Sequence, residues 1–443
     1  MRNFNGFGAI DSCEERQQSD PTINVNQGRR CMAGMLNEES ISQPLIEYTL
    51  LPSSSRGMMM QPAFGPSTPL APAFIPSSVY ALPDLDALEE ISTGQQAGFI
   101  YARDNHPNAV QLEAELAKLE NAAGAVVCAN GMAAIGVVAM AVLNQGGEVL
   151  ASNYLYGRTT QLFFQELTRF NVTVTGVDTG DLAAVEAAMQ HKPGTGPRSL
   201  VVETISNPLL TVANLPRLIA LCKQYQVTLL VDNTFATPLL CRPTELGADY
   251  VIESLTKIIG GHSDITLGVV VARDADKLAR LRQVRSIWGW MGDPFPCWLS
   301  LRGLPTLALR VKASCENANR LATFLAEQPG INRVIHPSRA DHPDHALAKQ
   351  LFAGQFGNIL CIDLTGGRAA VNRFFQKATK LKFCPSLGDY ATTCSHPAST
   401  SHRYLDPAER ERQGITEGLV RLSVGIEPWE ELANEFHSGL EAH

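Results

Sequence analysis

The sequence lacks the features that mark several classes of protein. Lys and Arg together number 36 against 44 Asp and Glu, and the formal net charge of −8 argues against a nucleic-acid-binding surface. The N-terminus has no basic segment followed by an apolar one, so we predict no secretory signal and a cytoplasmic location. With 45% hydrophobic and 18% charged residues over 443 positions, the composition suits a globular protein of two or three domains.

Cysteine pairs at metal-binding spacing are also absent. The ten cysteines are scattered without any CxxC motif, and several lie in apolar runs, such as Cys128 in AVVCAN and Cys361 in NILCIDL. This pattern predicts buried free thiols in a reducing compartment. No carboxylate or cysteine completes a ligand set with His396 and His402 at metal-binding spacing. We therefore predict no metal site and a structural role for His396.

Long Leu-rich hydrophobic segments, which are typical of membrane spans, are missing as well. The most apolar stretch, residues 122–143, is rich in Ala and Gly, and Asn130-Gly131 interrupts it. A short strand followed by a buried helix explains this stretch better than a membrane-spanning helix does. We therefore expect no membrane association.

What the sequence does contain is a regular alternation of strands and helices after about residue 108. Short apolar runs bounded by turns predict strands at 124–129, 148–152, 172–178, 199–205, 227–233, 250–254 and 268–273. Helical segments such as LAAVEAAMQ and LPRLIALCKQY separate several of these strands. Such an alternation predicts an α/β fold with a largely parallel sheet covered by helices on both faces.

The two ends of the chain follow other patterns. Beyond about residue 305, the long helix LALRVKASCENANRLATFLAEQ precedes a smaller α+β unit with strands near NILCIDL and RLSVGIE. The first 60 or so residues show no sustained periodicity. We predict a mobile N-terminal extension, an extended arm, a large domain and a C-terminal α+β domain, at 1–62, 63–107, 108–305 and 306–443.

Polar residues stand at the carboxyl ends of the predicted strands, where open α/β sheets bind their ligands. No GxGxxG or GxxxxGK[ST] motif occurs at these junctions, so a dinucleotide or P-loop site is not supported. Helix amides at Asn130-Gly131-Met132 and the hydroxyls of Ser254 and Thr256 suit a phosphate. Asp232 suits a protonated pyridine nitrogen, and Lys257 suits an aldehyde. Together these residues predict a site for a phosphorylated aromatic aldehyde.

Nine segments, in order along the chain, carry a resemblance to a known family. They read YARDNHPN, NGMAAI, LYGRT, ETISNP, VDNTFATP, SLTKIIGGHSD, LRGLPTL, SLGDYATTCSHPAST and RLSVGIE. Over about residues 65–430 the chain resembles the Cys/Met-metabolism, or transsulfuration, family of pyridoxal 5′-phosphate (PLP) enzymes.

The resemblance implies PLP fold type I, the aspartate aminotransferase-like fold. Its parts would be a mostly parallel seven-stranded sheet and a smaller C-terminal α+β domain. It also implies PLP as cofactor, an amino acid as substrate and a homotetramer built from two active-site dimers. In such a dimer, Tyr101 and Arg103 of the arm would reach the cofactor phosphate of the neighbouring subunit.

Roles for individual residues follow from the same resemblance. Lys257 would bind the cofactor as a Schiff base and shuttle protons, Asp232 would pair with the pyridine nitrogen, and Tyr156 would stack on the ring. Arg421, supported by Ser386, would bind the substrate carboxylate. The other expected cofactor-binding residues are Gly131, Met132, Asn207, Ser254 and Thr256.

The expected activity is that of a carbon–sulfur lyase. It would be a γ-elimination from a sulfur-type amino acid such as methionine, homocysteine or cystathionine. The first alternative is a γ-replacement transferase of the O-acylhomoserine sulfhydrylase or cystathionine γ-synthase type, since both reactions pass through the same intermediate. The second is a PLP-binding partner protein without turnover, which the intact Lys257, Asp232, Tyr156 and Arg421 disfavour.

The chain departs from the family in the outer part of the substrate pocket. Cystathionine-cleaving members carry charged residues at three positions where this chain has Ile100, Gln161 and Ala391. Burying a charged substrate end without partners is costly, so we expect uncharged γ-substituents to be preferred. His106 replaces the usual Asn of a loop motif and puts the geometry of that loop in doubt. Arg158 adds a charge that the resemblance does not explain.

Overall fold

The structure is a computed structural model that describes residues 47–50, 60–63, 67, 69–143, 146–191, 194 and 196–441. Two short antiparallel strands come first, β1 (Glu47–Leu50) and β2 (Met60–Ala63). The sequence predicted no regular structure before residue 63, because segments of four residues are too short for their periodicity to stand out. The rest of the predicted extension lies outside the described residues.

The main sheet has seven strands: β3 (Gly124–Cys128), β4 (Glu148–Ser152), β5 (Thr173–Val177), β6 (Arg198–Glu203), β7 (Thr228–Asp232), β8 (Tyr250–Ser254) and β9 (Gly268–Ala272). Their spatial order is β3-β9-β8-β7-β6-β4-β5. Strand β9 runs antiparallel to both of its neighbours, and every other pair in this sheet is parallel. The predicted mostly parallel seven-stranded sheet is confirmed.

The helices of this part of the chain are α1 (Leu85–Ser92), α2 (Pro107–Leu119), α3 (Gly131–Val142), α4 (Gly157–Gln161), α5 (Leu182–Gln190), α6 (Leu215–Tyr225), α7 (Thr237–Leu240), α8 (Pro243–Leu246), α9 (Asp276–Trp288) and α10 (Pro294–Gly303). Helices α2, α3, α5, α6, α8 and α9 pack against strands of this sheet. Successive strand residues point to opposite faces. Accordingly, Leu150 and Leu200 join one buried cluster, while Val149 and Val201 join another on the opposite face. Both faces are therefore buried, which is why the strands are almost continuously apolar.

The apolar stretch 122–143 forms a buried strand followed by a buried helix, as predicted. The side chain of Asn130 ends the extended segment and caps helix α3 by accepting a hydrogen bond from the amide of Ala133 at 2.8 Å. Among the described residues, no helix is long and apolar enough to cross a membrane.

A second sheet follows the long helix α11 (Leu307–Ala326). Its strands are β10 (Ile331–Ile335), β11 (Ile359–Leu364), β12 (Lys382–Phe383), β13 (Thr393–Ser395) and β14 (Leu419–Ser423). They lie in the order β10-β11-β14-β13-β12, and all pairs are antiparallel except β12 with β13. The accompanying helices are α12 (His345–Leu351), α13 (Gly367–Lys377), α14 (Pro407–Arg412) and α15 (Trp429–Leu440). This part confirms the smaller α+β unit.

The described cysteines are all free, and all except Cys384 are buried. Burial raises the pKa of the Cys128 and Cys361 thiols to about 12, so these groups stay protonated and unreactive at neutral pH. This agrees with the predicted buried thiols, while Cys13 and Cys31 lie outside the described residues. The ring nitrogens of His396 contact Ser399 and the Glu417 carbonyl, as expected of a structural histidine.

His106 does not disturb its loop, contrary to the doubt raised by the sequence. Its Nδ1 accepts a hydrogen bond from the Ala109 amide at 3.2 Å and so caps helix α2. Its Nε2 lies 2.7 Å from the Gly292 carbonyl oxygen and donates to it in the neutral tautomer. Burial lowers the pKa of His106, which favours this neutral form. His106 therefore caps helix α2 and holds the loop that precedes it.

Two buried arginines tie the segments around the site to the large sheet. Arg285 pairs with Glu113 at 2.7 Å and donates to the Asp104 carbonyl at 2.6 Å, which anchors the loop after the arm. Arg310 donates to the Ile258 carbonyl at 2.8 Å and supports the turn after strand β8. Removing one partner of a buried ion pair like Arg285–Glu113 typically costs about 3–5 kcal/mol. Both arginines therefore act as structural ties between distant parts of the chain.

Candidate active site

A cavity of about 550 Å³ opens at the carboxyl ends of the parallel strands. Glu203, Asp232 and Ser254 are the last residues of β6, β7 and β8, and all three line it. Glu203 and Asp232 are direct neighbours in the ladder between β6 and β7. Parallel pairing thus places polar side chains that are distant in sequence at one edge of the sheet.

Lys257 lies in the turn after β8 and reaches into this cavity. Its Nζ donates a hydrogen bond to the Ser386 hydroxyl at 3.1 Å. Burial lowers the pKa of the Lys257 amine, and the nearby positive charge of Arg421 lowers it further. The unprotonated amine, which is the nucleophilic form, is therefore more accessible here than on a surface lysine.

Arg421 connects the second sheet to the same cavity. It lies on β14 and is buried, with one guanidinium nitrogen 2.7 Å from Asn207 Oδ1 and another 3.0 Å from the Ser386 carbonyl oxygen. Its Nε is buried without a hydrogen-bond partner in the described chain. A buried donor that is left over is expected where a ligand acceptor normally binds. Lys257, Ser386, Arg421 and Asn207 thus form one continuous network.

The carboxyl group of Asp232 fits a cationic ring nitrogen. Its Oδ1 accepts the Thr234 amide at 3.0 Å, and burial raises the pKa of the group. A cation beside it would offset the unfavourable burial of the carboxylate. Asp232 therefore fits the pyridine nitrogen of PLP.

The start of helix α3 fits a phosphate group. The first amides of this helix, at Gly131 and Met132, have no acceptors within the helix. A Cβ at Gly131 would lie 3.0 Å from Ser254 Cβ, so a larger residue would crowd the cradle. The Thr256 hydroxyl also lines the cavity, but it already donates to the Leu267 carbonyl at 3.2 Å.

Tyr156 lies beside Glu203 at the edge of the cavity. Tyr156 directly precedes helix α4 and is 38% exposed, and its amide donates to the Glu203 carboxyl group. The other carboxyl oxygen accepts the Asn207 amide at 3.3 Å. Burial and the charge of Asp232 raise the pKa of Glu203 well above its usual range. The sequence assigned no role to Glu203, although its position at a strand end beside Asp232 is the same signal that identified Asp232.

Tyr101 and Arg103 are not brought into this cavity by the single chain. The Arg103 guanidinium lies 5.4 Å from the centre of the Tyr101 ring, and it donates to the Ser286 carbonyl at 3.2 Å. Tyr101 is 43% exposed. Their assignment to a neighbouring subunit's site remains a prediction.

The outer part of the cavity in the single chain is lined by other residues than the three assigned to it from the sequence. Ile100, Gln161 and Ala391 are not among the described residues that line the cavity. The exposed residues of the lining are Asn130, Tyr156, Arg158, Thr266, Pro385, Arg403 and Tyr404. We call Tyr156, Arg158, Arg403 and Tyr404 the rim. The single chain therefore does not test the assignment of Ile100, Gln161 and Ala391 to the outer pocket, and the expected preference for uncharged substituents stays a prediction.

The fold and the lysine, aspartate and arginine of this site define a class, the PLP enzymes of fold type I. Residues 66–441 match the family model described as Cys/Met metabolism PLP-dependent enzyme. The chain is 37% identical over 375 residues to L-methionine gamma-lyase from Pseudomonas putida, covering 84% of this chain and 93% of that protein. O-succinylhomoserine sulfhydrylase from Pseudomonas aeruginosa is 38% identical over 355 residues, covering 79% and 85% of the two chains.

A solved structure agrees with these relatives. Cystathionine gamma synthase from Xanthomonas oryzae pv. oryzae, in complex with cystathionine, superimposes with a TM-score of 0.79 at 34% identity and covers 84% of this chain and 93% of that one. The chain belongs to the Cys/Met metabolism PLP-dependent enzyme family. It is therefore a PLP-dependent C–S γ-lyase or a closely related γ-replacement enzyme of amino-acid metabolism. The alternative of a non-catalytic partner protein is not supported.

Proposed function

We propose that the chain eliminates the γ-substituent of an L-amino acid, with Lys257 as the residue that carries the cofactor and moves protons. PLP, when bound, supplies the electron sink that makes protons on Cα and Cβ of the substrate acidic. The observation that supports this proposal is the network in which Lys257 Nζ contacts Ser386 and Ser386 contacts Arg421.

Each group of this network has a distinct task in the proposal. Arg421 binds the substrate α-carboxylate through its planar guanidinium group, and Asn207 keeps that group in position. Ser386 holds the Lys257 amine close to the place where Cα of a bound amino acid would lie. The lowered pKa of Lys257 lets the amine accept a proton from Cα at neutral pH and later return it.

Tyr156 and Asp232 would contact different parts of the cofactor in this proposal. Asp232 would hold the cation of the ring, and the opposite charge would offset the burial of its carboxylate. The Tyr156 side chain, whose backbone amide is held by Glu203, would stack on the cofactor ring and shield it from water. Gly131, Met132, Ser254 and Thr256 surround the phosphate.

Elimination is the leading reaction, and γ-replacement is the second candidate. In elimination, proton loss at Cβ expels the γ-substituent, and water releases ammonia and a 2-oxo acid. In replacement, a thiol adds to the same carbon skeleton. The sequence similarity to a methionine gamma-lyase supports elimination, and the similarity to an O-succinylhomoserine sulfhydrylase supports replacement.

The proposal includes a shared site in a cytoplasmic homotetramer. Tyr101 and Arg103 lie exposed on the chain surface and away from its own cavity. Arg103, which belongs to the arm, would bind the cofactor phosphate of a neighbouring subunit once two chains pair, as the corresponding arginine does in the family that this chain resembles.

A substrate panel distinguishes the two reactions. Purified holoenzyme is incubated with methionine, homocysteine, cysteine, cystathionine and O-acylhomoserines, with and without added sulfide. From the substrates with a γ-substituent, which are all of these except cysteine, an elimination enzyme produces 2-oxobutyrate and ammonia without sulfide. A sulfhydrylase-type replacement enzyme needs sulfide and produces a thiol amino acid. Absence of both products with every substrate would contradict the proposed function.

A further inference from the structure

The rim of the cavity carries two arginines without an acidic partner. Arg158 lies in helix α4, and its only hydrogen-bond partner in the described chain is the neutral side chain of Gln161 at 2.7 Å. Arg403 follows the short turn Pro397–Ser399, and its side chain has no hydrogen bond or ion pair with any described residue. Both side chains are exposed and line the cavity from different segments of the chain.

The acidic groups of the cavity do not balance these charges. The two carboxyl groups that line it are those of Glu203 and Asp232, both at the strand ends that form the floor. Glu203 accepts two backbone amides, and Asp232 accepts the amide of Thr234. Burial raises the pKa of Glu203 well above its usual range, which favours its uncharged form, and in the proposed function the charge of Asp232 is paired with the ring cation. The rim is therefore positive, and its charge is free to act on a ligand.

A tyrosine adds a hydroxyl group to the same rim. Tyr404 approaches helix α4 where Gly157 lacks a side chain, and a Cβ at Gly157 would lie only 1.3 Å from the Tyr404 hydroxyl. Burial raises the pKa of Tyr404, so the phenol remains a hydrogen-bond donor. Its hydroxyl makes no hydrogen bond within the described chain. The glycine thus brings a free donor next to Arg158.

We propose that Arg158, Arg403 and the Tyr404 hydroxyl form a subsite for an oxyanion at the far end of the substrate's γ-substituent. The proposal rests on the proposed function, in which the α-carboxylate binds to Arg421 deep in the cavity. Two guanidinium groups and a hydroxyl match a carboxylate or a phosphate, because both accept several hydrogen bonds. Substrates with an anionic γ-substituent are therefore preferred to neutral ones of the same size.

Binding of unreactive analogues tests this subsite without turnover. L-2-Aminopimelate has a terminal carboxylate, L-2-aminoheptanoate ends in a methyl group, and neither has a leaving group. We expect calorimetry on the holoenzyme to show about tenfold tighter binding of the anionic analogue, since exposed charge-assisted contacts contribute at the low end of their range. Arg158→Gln combined with Arg403→Gln brings the ratio close to one and leaves binding of the neutral analogue unchanged.

Two further variants test the contribution of charge at the rim: an Arg→Gln change away from the cavity, and the removal of the Tyr404 hydroxyl. Arg302 on helix α10 is exposed and does not line the cavity, so Arg302→Gln leaves the ratio at its wild-type value. Tyr404→Phe lowers the ratio by less than the double variant does, because it removes one neutral donor and no charge. A wild-type ratio of one or below, or an equal ratio in the double variant, would overturn the subsite.

Turnover measurements distinguish a carboxylate from a phosphate as the bound anion. They also separate a failure of the subsite from a failure of the proposed function. The kcat/KM of O-succinyl-L-homoserine and of O-phospho-L-homoserine is compared with that of the neutral carboxamide analogue of the succinyl ester. A preference for either anion that the double variant loses through KM supports the subsite and identifies the anion. If the holoenzyme converts no γ-substituted amino acid, the proposed function fails, and the binding ratio still decides the subsite.

Discussion

Replacing Asp232 by Asn tests whether the floor of the site is built for a cationic ring. The side chain of Asp232 has Thr234 as its partner, and burial raises the pKa of the carboxyl group. Asp232→Asn keeps the size of the side chain and an acceptor for Thr234, while the negative charge is lost. The substitution is therefore expected to act in opposite directions on the protein without cofactor and on the holoenzyme.

The sign for the cofactor-free protein follows from proton linkage. Because the pKa of Asp232 is higher in the folded than in the unfolded chain, the folded chain binds more protons at intermediate pH. Its stability therefore falls as the pH rises from the ordinary carboxyl pKa toward the raised one. The variant does not undergo this loss, so it is at least as stable as wild type at pH 8, and any advantage shrinks toward pH 4.

The holoenzyme responds in the other direction. A charge-assisted hydrogen bond contributes about 1.5–3 kcal/mol, so losing it weakens cofactor binding by roughly tenfold to a hundredfold. Thermal unfolding between pH 4 and pH 8 and titration with PLP measure the two effects. As a control, Asp274→Asn makes the same change at an exposed carboxyl whose pKa Arg273 and Lys277 lower to about 2, and it leaves PLP affinity unchanged. A cofactor-free variant clearly less stable than wild type at pH 8, or unchanged PLP affinity, would refute the reasoning.

Two further predictions concern glycines and subunit pairing. Gly157→Ala overlaps the outer ring atoms and hydroxyl of Tyr404, but this side chain is 42% exposed and moves aside, so we expect the Tm to change little. Gly388→Ala places a Cβ 2.4 Å from the Ile258 amide nitrogen at a positive φ, and we expect it to lower the free energy of unfolding by about 1–3 kcal/mol. Equal Tm values in thermal unfolding would contradict this. Mixing inactive Arg103→Ala with inactive Lys257→Ala subunits restores part of the activity if the site is shared, and no recovery after verified subunit exchange counts against a shared site.

Much of the site could be predicted from the sequence because its residues stand at the ends of recognisable strands. Apolar runs fixed the positions of all seven strands of the main sheet to within a few residues. Asp232 and Ser254 were then recognisable because parallel strands carry functional residues at their carboxyl ends. Lys257 followed from the need for one amine beside these groups.

Other features depend on contacts that periodicity does not encode. Arg310 meets the Ile258 carbonyl 52 residues away, and Arg285 meets Glu113 172 residues away. The sequence showed Arg158 only as an unexplained charge and gave no sign of Arg403, which reaches the cavity through a loop. Local sequence gives no information on which loop folds over a given cavity.

The most direct test of the account is to find the residue that holds the cofactor. Borohydride makes the bond between PLP and its lysine irreversible, and mass spectrometry of a digest then locates the label. The account predicts a yellow protein labelled on Lys257, and a Lys257→Ala variant that remains folded, carries no label and is inactive. Lys312→Ala, a change at an exposed lysine, retains both label and activity. A label on another lysine, or a wild-type protein that stays colourless and unlabelled with added PLP, would contradict the account.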